Sequence, residues 1–251
     1  MHLKSFVAVF GVLAVMVGCG GGGGVVQEFV KETHPNGAKK EVVGYVGKKT
    51  NVVRTTMYFD NGQMQSDRFF KNGQEDSVRT VFNVAGTIIQ QTHFAGGQKH
   101  GPEKTWYNSG NIKSEAQFNE GAPTGRFVSY FEDGKISLEV SFQDGKKHGE
   151  EIEYFSNGNR KRLRNFKLGY LDGIEQEFFE SGKIKAEHMY VNGTLNGPFT
   201  FFSERTGRKI EDGTYLNGQY HGQRAMYDAA SGRKKSVATY ENGTRTFGEF
   251  F

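Results

Sequence analysis

The sequence predicts an all-β fold: an elongated, twisted antiparallel β-meander made of β-hairpin repeats of about 24 residues, an open repeat sheet and not a closed barrel. Three observations predict it. Glycine recurs at a fixed interval, aromatic residues recur at fixed offsets between the glycines, and the segments between them alternate apolar and polar residues. A repeat of this period cannot bury an apolar face alone, so neighbouring units must stack.

The first glycine column runs Gly37, Gly62, Gly86, Gly110, Gly134, Gly158, Gly182, Gly207 and Gly232, in steps of 24 or 25. The second runs Gly47, Gly73, Gly97, Gly121, Gly145, Gly169, Gly193, Gly218 and Gly243. Four residues beyond it stands a third: Gly101, Gly125, Gly149, Gly173, Gly197 and Gly222. Asn51, Ser77 and Phe247 break the third column in the first two units and the last. Atypical end units are expected of a repeat array. Eight residues after each first-column glycine comes an aromatic residue, from Tyr45 and Phe70 through Phe142 and Phe166 to Tyr215 and Tyr240. Twenty residues after it come Phe82, Trp106, Tyr130, Tyr154, Phe178, Phe202 and Tyr227. The sequence leaves open whether the two aromatic columns share a face.

Each unit reads as two strands. In the fifth, Ile136, Leu138, Val140 and Phe142 alternate with Ser137, Glu139 and Ser141, the period of a strand with one apolar face. A turn around Asp144-Gly145 leads to the second strand, and Asn157-Gly158 turns the chain into the next unit. Asn-Gly and Asp-Gly supply the positive φ of tight hairpin turns. They recur at Asn61-Gly62, Asn72-Gly73, Asp133-Gly134, Asn192-Gly193, Asn217-Gly218 and Asn242-Gly243. Such short connections leave no room for crossover helices, so the strands are antiparallel. About seventeen strands at ~4.8 Å each would extend on the order of 80 Å, and a sheet that long is expected to curl.

Composition bounds the chemistry. Of 251 residues, 35 are Gly, 22 Phe and 11 Tyr, too aromatic a chain for disorder. The single Cys excludes an internal disulfide and a Cys-based zinc cluster. A net charge of +4 does not mark a dedicated nucleic-acid binder.

Residues 1–18 read as a signal peptide. Lys4 precedes an apolar run over 6–17, too short to cross ~30 Å of hydrocarbon. Met16-Val17-Gly18-Cys19 resembles the bacterial lipobox, which implies a diacylglycerol on the Cys19 thiol and a membrane anchor. An ordinary cleaved signal with a lone cysteine is the alternative. Residues 19–33 read as a Gly-rich tether. Gly20 to Gly24 is not a phosphate loop, because Val25 and Val26 follow it. The similarity to enterobacterial lipoproteins implies outer-membrane sorting, since Gly20 is not the Asp that retains them in the inner membrane.

The pattern of Tyr130 to Gly149 and of Phe178 to Gly197, an aromatic, then Gly, an aliphatic, a second aromatic and two further glycines, resembles the bacterial variant of the MORN repeat. The resemblance covers 34–251, about 8.5 repeats. Proteins of this kind are similar to ones described as antitoxin components and to exported lipoproteins. Classical MORN repeats are associated with scaffolding and with phospholipid headgroups. What this implies is a lipid-anchored cell-envelope protein, a non-catalytic binding or scaffolding module for a protein, glycan or lipid-headgroup partner. An antitoxin- or immunity-type partner of a toxin is the alternative, and an envelope hydrolase the third reading.

Three groups of residues bear on chemistry. His100, His148 and His221 share one column, but His100 and His148 stand about four strands, ~19 Å, apart, so no metal is expected. No cofactor and no catalytic motif is expected either. Arg160, Lys161, Arg162, Arg164 and Lys167 form a basic run in which three arginines occupy the usual apolar column. They read either as a solvated face with stems packed on neighbouring rings or as a strip for an anionic partner. Phe247, Phe250 and Phe251 make the C-terminal strand an apolar edge suited to docking or self-association.

Overall fold

The computed structural model describes residues 12–14, 25–48 and 50–251. It divides into two compact units, Met1–Ala122 and Pro123–Phe251. Both are built of antiparallel strands, with no helix among the described residues.

The first unit holds β1 (Val12–Ala14), β2 (Val26–Thr33), β3 (Lys39–Val46), β4 (Val52–Tyr58), β5 (Met64–Lys71), β6 (Gln74–Glu75), β7 (Ser77–Phe82), β8 (Ile88–Ala95), β9 (Gln98–Trp106) and β10 (Ile112–Asn119). Successive strands pair, and β5 takes both β6 and β7. The tether expected over 19–33 is shorter than its boundaries. Val26–Thr33 is a strand, because Phe29 buries its ring against Tyr45 at 5.8 Å and pairs with Val43.

The second unit holds β11 (Ala122–Tyr130), β12 (Ile136–Gln143), β13 (Lys146–Tyr154), β14 (Arg160–Lys167), β15 (Tyr170–Leu171), β16 (Gly173–Phe178), β17 (Ile184–Val191), β18 (Thr194–Phe202), β19 (Lys209–Leu216), β20 (Gln219–Tyr220), β21 (Gly222–Tyr227), β22 (Lys234–Glu241) and β23 (Thr244–Phe250). Again each pairs with the next, with β15 and β16 both on β14, and β20 and β21 both on β19. Among the described residues no pairing joins the first and last strands of either unit, so both sheets are open.

The turns explain the glycines. At the second column from Gly73 onward both central residues have positive φ, as in Asp144 (49°) with Gly145 (76°) and Asn217 (50°) with Gly218 (83°). That is the type I′ hairpin. At the first column only the glycine is left-handed: Gly62 donates to the Phe59 carbonyl at 3.0 Å, and Phe59 to the Gln63 carbonyl at 2.8 Å. The third column lies at a bulge, where Gly149 has φ 81° and the β12–β13 register shifts.

Neighbouring repeats are tied together at both ends. The second-column N–H bonds a carbonyl one repeat back, Gly169 to Lys147 at 2.8 Å and Gly193 to Leu171 at 2.7 Å. At the other end, side chains of one turn reach the backbone of the next. Asn36 donates to the Asp60 carbonyl, Asn157 to Glu180 and Thr206 to Ala229, at 2.8, 2.8 and 2.9 Å.

The sheets are one layer thick in their chemistry. Ten apolar residues are buried among the described ones, spread over both faces. Val140, Ala186 and Phe199 lie on one face of the second sheet, and Val128, Ala225 and Val237 on the other. The two aromatic columns fall on opposite faces. Tyr154 hydroxyl reaches Glu139, and Tyr227 hydroxyl reaches Asp212, each acceptor an odd number of residues from the ring of the other column, Phe142 or Tyr215.

Candidate binding surface

One row of side chains crosses the second sheet. Phe127 pairs with Val140, Val140 with Glu151, and Glu151 with Arg164. Glu175 pairs with His188, His188 with Phe199, and Phe199 with Gly213. In the repeat these are the positions 6 and 17 residues after the first-column glycine, so the row is a property of the repeat.

The middle of the row is ionic. Glu151 is 1% exposed and is held by Lys147 and Arg164. Arg164 Nη2 also donates to Glu153 at 2.5 Å. Arg162 lies 3.6 Å from Glu175 and 3.5 Å from Glu177 on β16, and 3.8 Å from Glu153 on β13. Burial pushes the Glu177 carboxyl up, but the Lys185 hydrogen bond and the charges of Lys185 and Arg162 outweigh it and hold it below the ordinary carboxylate range. Lys147 ammonium stands 4.9 Å over the Phe166 ring. An ammonium at that distance from a ring gains electrostatic attraction.

This resolves where the basic run lies. Arg162 and Arg164 lie along the row; Arg162 is matched by glutamates of β13 and β16, and Arg164 by Glu151 and Glu153 of β13. Lys161 reaches Glu153 only at 3.8 Å, and Arg160, Lys161 and Lys167 are exposed. Of the four glutamates, Glu151 and Glu175 stand at the 17-residue offset of the row and Glu153 and Glu177 two residues further on, but only register shows that they meet these arginines.

Beyond the ionic stretch the row is aromatic. His188 stacks on Phe199 at 6.4 Å and meets the Phe201 edge at 5.3 Å. Phe199 touches Tyr215 at 4.8 Å; Tyr215 stacks on Tyr220 at 4.7 Å, and Tyr220 meets Tyr240 at 5.4 Å. Burial, and then the bond with Tyr220, push the Tyr215 phenol up. Arg224 lies 4.7 Å over Tyr220 and donates to Glu211 at 2.7 Å, which raises its guanidinium further above the usual range.

At the C-terminal edge the repeat changes register. In β13 the bulge after Lys147 holds two extra residues, so Glu151 meets Val140. In β23 it holds one, so Gly248 meets Ala238. The third-column glycine is Phe247 here, and a phenylalanine does not take the left-handed conformation that the wider bulge uses. A slip of one residue exchanges the faces of a strand. Phe247, Phe250 and Phe251 are 58%, 80% and 69% exposed.

The first unit carries a related arrangement. Glu103 Oε2 accepts from Lys99 at 2.6 Å, from Thr92 at 2.8 Å and from Gln90 at 3.1 Å. On its other face Arg54 forks onto Asp67 at 2.8 and 2.9 Å. Among the described residues no group of three or more His, Cys, Asp or Glu could hold a metal ion. His221 N–H instead closes the β19–β20 bulge on the Thr214 carbonyl. Cys19 lies outside the described residues. Rings and ion pairs of this kind suit non-covalent contact.

A family model described as the MORN repeat variant matches residues 53–72, 99–120, 123–144, 147–168 and 171–192. No curated protein matches the chain. Among solved structures, those of TcdB2-TccC3-Cdc42 and TcdB2-TccC3 are each 10% identical over 86% and 90% of this chain, with TM-scores of 0.21 and 0.22. The chain spans 14% and 15% of their lengths. A porin-like protein from Bacteroides uniformis ATCC 8492 is 9% identical over 77% of this chain and 87% of its own, with a TM-score of 0.20.

Proposed function

We propose that this chain, which belongs to the MORN repeat variant family, is a non-catalytic binding or scaffolding module held at the bacterial cell envelope by a lipid on Cys19. Repeats of this family are generally binding or scaffold repeats. One observation carries the reading. Only ten apolar side chains are buried among the described residues, so both faces of each sheet stay open to solvent with rings and charges on them. Much surface per residue is the property a recognition or spacing element needs. The partner is a protein or an envelope glycan or headgroup, with Arg160, Lys161 and Lys167 as the exposed cations available to an anionic one. Two acyl chains anchor stably where one does not, so the thiol of Cys19 sets the location.

Fractionation of cells producing the wild type and Cys19→Ala tests this. The wild type is expected in the membrane fraction, the outer membrane where there is one, and the variant in the soluble fraction. Full retention of Cys19→Ala would remove the anchor. Binding of the purified chain to anionic vesicles or polyanionic glycan is expected to fall when Arg160, Lys161 and Lys167 are all replaced by Ser. No change would remove those residues from the partner surface.

A further inference from the structure

We infer that Arg68 of β5, with the Thr55 hydroxyl beside it, is a binding site for a single carboxylate. The site lies in the first unit, on residues other than the cations proposed above, and it does not depend on the anchor. Six arginines are half-buried among the described residues: Arg54, Arg68, Arg79, Arg162, Arg164 and Arg224. Five of them hold carboxylates. Arg54 pairs with Asp67, Arg79 with Glu75 and Arg224 with Glu211, while Arg162 and Arg164 take the glutamates of β13 and β16. Arg68 has no ion pair and no side-chain hydrogen bond among the described residues. All 28 Asp and Glu residues of the chain lie among those described, so no carboxylate escapes this comparison.

Register explains the difference. Arg68 and Arg164 both stand six residues after a first-column glycine. Arg164 has Glu151 opposite on β13 and, by the register of β14 with β16, Glu175 on its other side. Arg68 has Thr55 opposite on β4. On its other side Asp67 meets Thr80, so Arg68 comes level with Arg79 of β7. Residues directly opposite share a face. Arg68 therefore faces a hydroxyl and a cation where Arg164 faces two carboxylates. Asp67 is next to it in the chain but points to the other face, where Arg54 forks onto it. Glu75 is forked by Arg79, and Glu103 accepts from Lys99.

The free part of the guanidinium fixes the ligand. Arg68 Nε is buried without a partner, whereas its Nη nitrogens are neither buried nor bonded. A half-buried charge without a counter-charge costs free energy that a bound anion recovers. Two Nη nitrogens make a fork that matches the two oxygens of a carboxylate. Glu75 neutralises Arg79, so Arg68, Arg79 and Glu75 together carry one net positive charge. One charge and one fork match a monoanion and leave a phosphate dianion half compensated. A carboxylate is also what the sheet itself supplies at the same place in β14. The Thr55 hydroxyl holds no hydrogen bond among the described residues and is a donor to the same ligand.

Nuclear magnetic resonance of the full chain in a non-ionic detergent tests the site. The Arg68 Nε–H signal, identified by its loss in Arg68→Lys, is expected to shift saturably when acetate replaces chloride at constant ionic strength. Inorganic phosphate is expected to bind more weakly. Thr55→Glu sets a carboxylate where β13 has Glu151, and is expected to weaken acetate binding at least about tenfold with the β signal in circular dichroism retained. A Gly-Glu-Gly peptide with blocked ends and glucuronate present the same group as a protein or a glycan would, and the tighter of the two names the source. The comparison of acetate with phosphate on the wild type decides the matter even if Thr55→Glu folds poorly. No saturable shift with acetate, phosphate bound as tightly as acetate or more so, or undiminished acetate binding in a folded Thr55→Glu would overturn the inference.

Discussion

The ring of Phe199 lies on Gly213: a Cβ added to that glycine would stand 2.7 Å from Phe199 Cε1 and 3.4 Å from the Arg224 Cα. Gly213 does not have a positive φ, so the backbone conformation is open to any residue. What requires glycine is the ring. Phe199 is 1% exposed, the largest side chain buried to that degree, and it anchors the aromatic stretch of the row.

Gly213→Ala is therefore expected to destabilise the second unit by about 1–3 kcal/mol, the range for forcing extra volume into a packed site. The loss is read as a lower urea midpoint. Phe199→Leu combined with Gly213→Ala should recover part of it, because the two sites share one space. Additive losses would show that the ring does not set the cost.

Leu168 takes φ 51° in the turn where five other repeats place Asn or Asp. A non-glycine residue in that region costs roughly 1–2 kcal/mol, less for Asn. Leu168→Asn is expected to raise the thermal midpoint, and Asn217→Leu, at φ 50°, to lower it. Because Leu168 is 53% exposed, little packing is lost in the exchange.

Arg164→Met should be among the costlier changes, on the order of 3 kcal/mol, because it leaves the buried Glu151 with Lys147 alone. Glu151→Leu added to it should restore most of that loss, as an apolar pair can replace a buried ionic one. Denaturation of the two single variants and the double one checks this. If Arg164→Met were neutral, Arg164 would be a free cation and the basic run a contiguous strip.

The Glu103 carboxyl gives a pH signature. Burial pushes it up, but hydrogen bonds from Lys99, Thr92 and Gln90 outweigh burial and leave it below its ordinary value. A carboxyl depressed by folding stabilises the fold above its unfolded pKa, and that contribution is lost as pH falls through the folded one. The urea midpoint of the wild type should therefore fall on acidification below the usual carboxylate range. Glu103→Gln should start lower at neutral pH and show a smaller fall. Parallel curves would place the acid sensitivity elsewhere.

The repeat was legible in the residues because its causes are local. Asp144-Gly145 and Asn217-Gly218 specify their turns through backbone sterics that depend on two residues only. The alternation from Ile136 to Phe142 states a strand without reference to any neighbour. The start of the sheet at Val26 was less legible, since eight residues with Phe29 in their middle become a strand only when Tyr45 and Val43 cover that ring.

The chain alone thus determined the hairpin, its period and the open antiparallel stacking, all of which follow from short-range geometry repeated in tandem. The tertiary structure decided which side chains meet. A bulge of one residue or two sets the face of every residue after it, and no single strand contains that information. Hence the two aromatic columns part to opposite faces, Arg162 and Arg164 turn to glutamates of adjacent strands, and Phe247 slips β23 out of the register kept by β13.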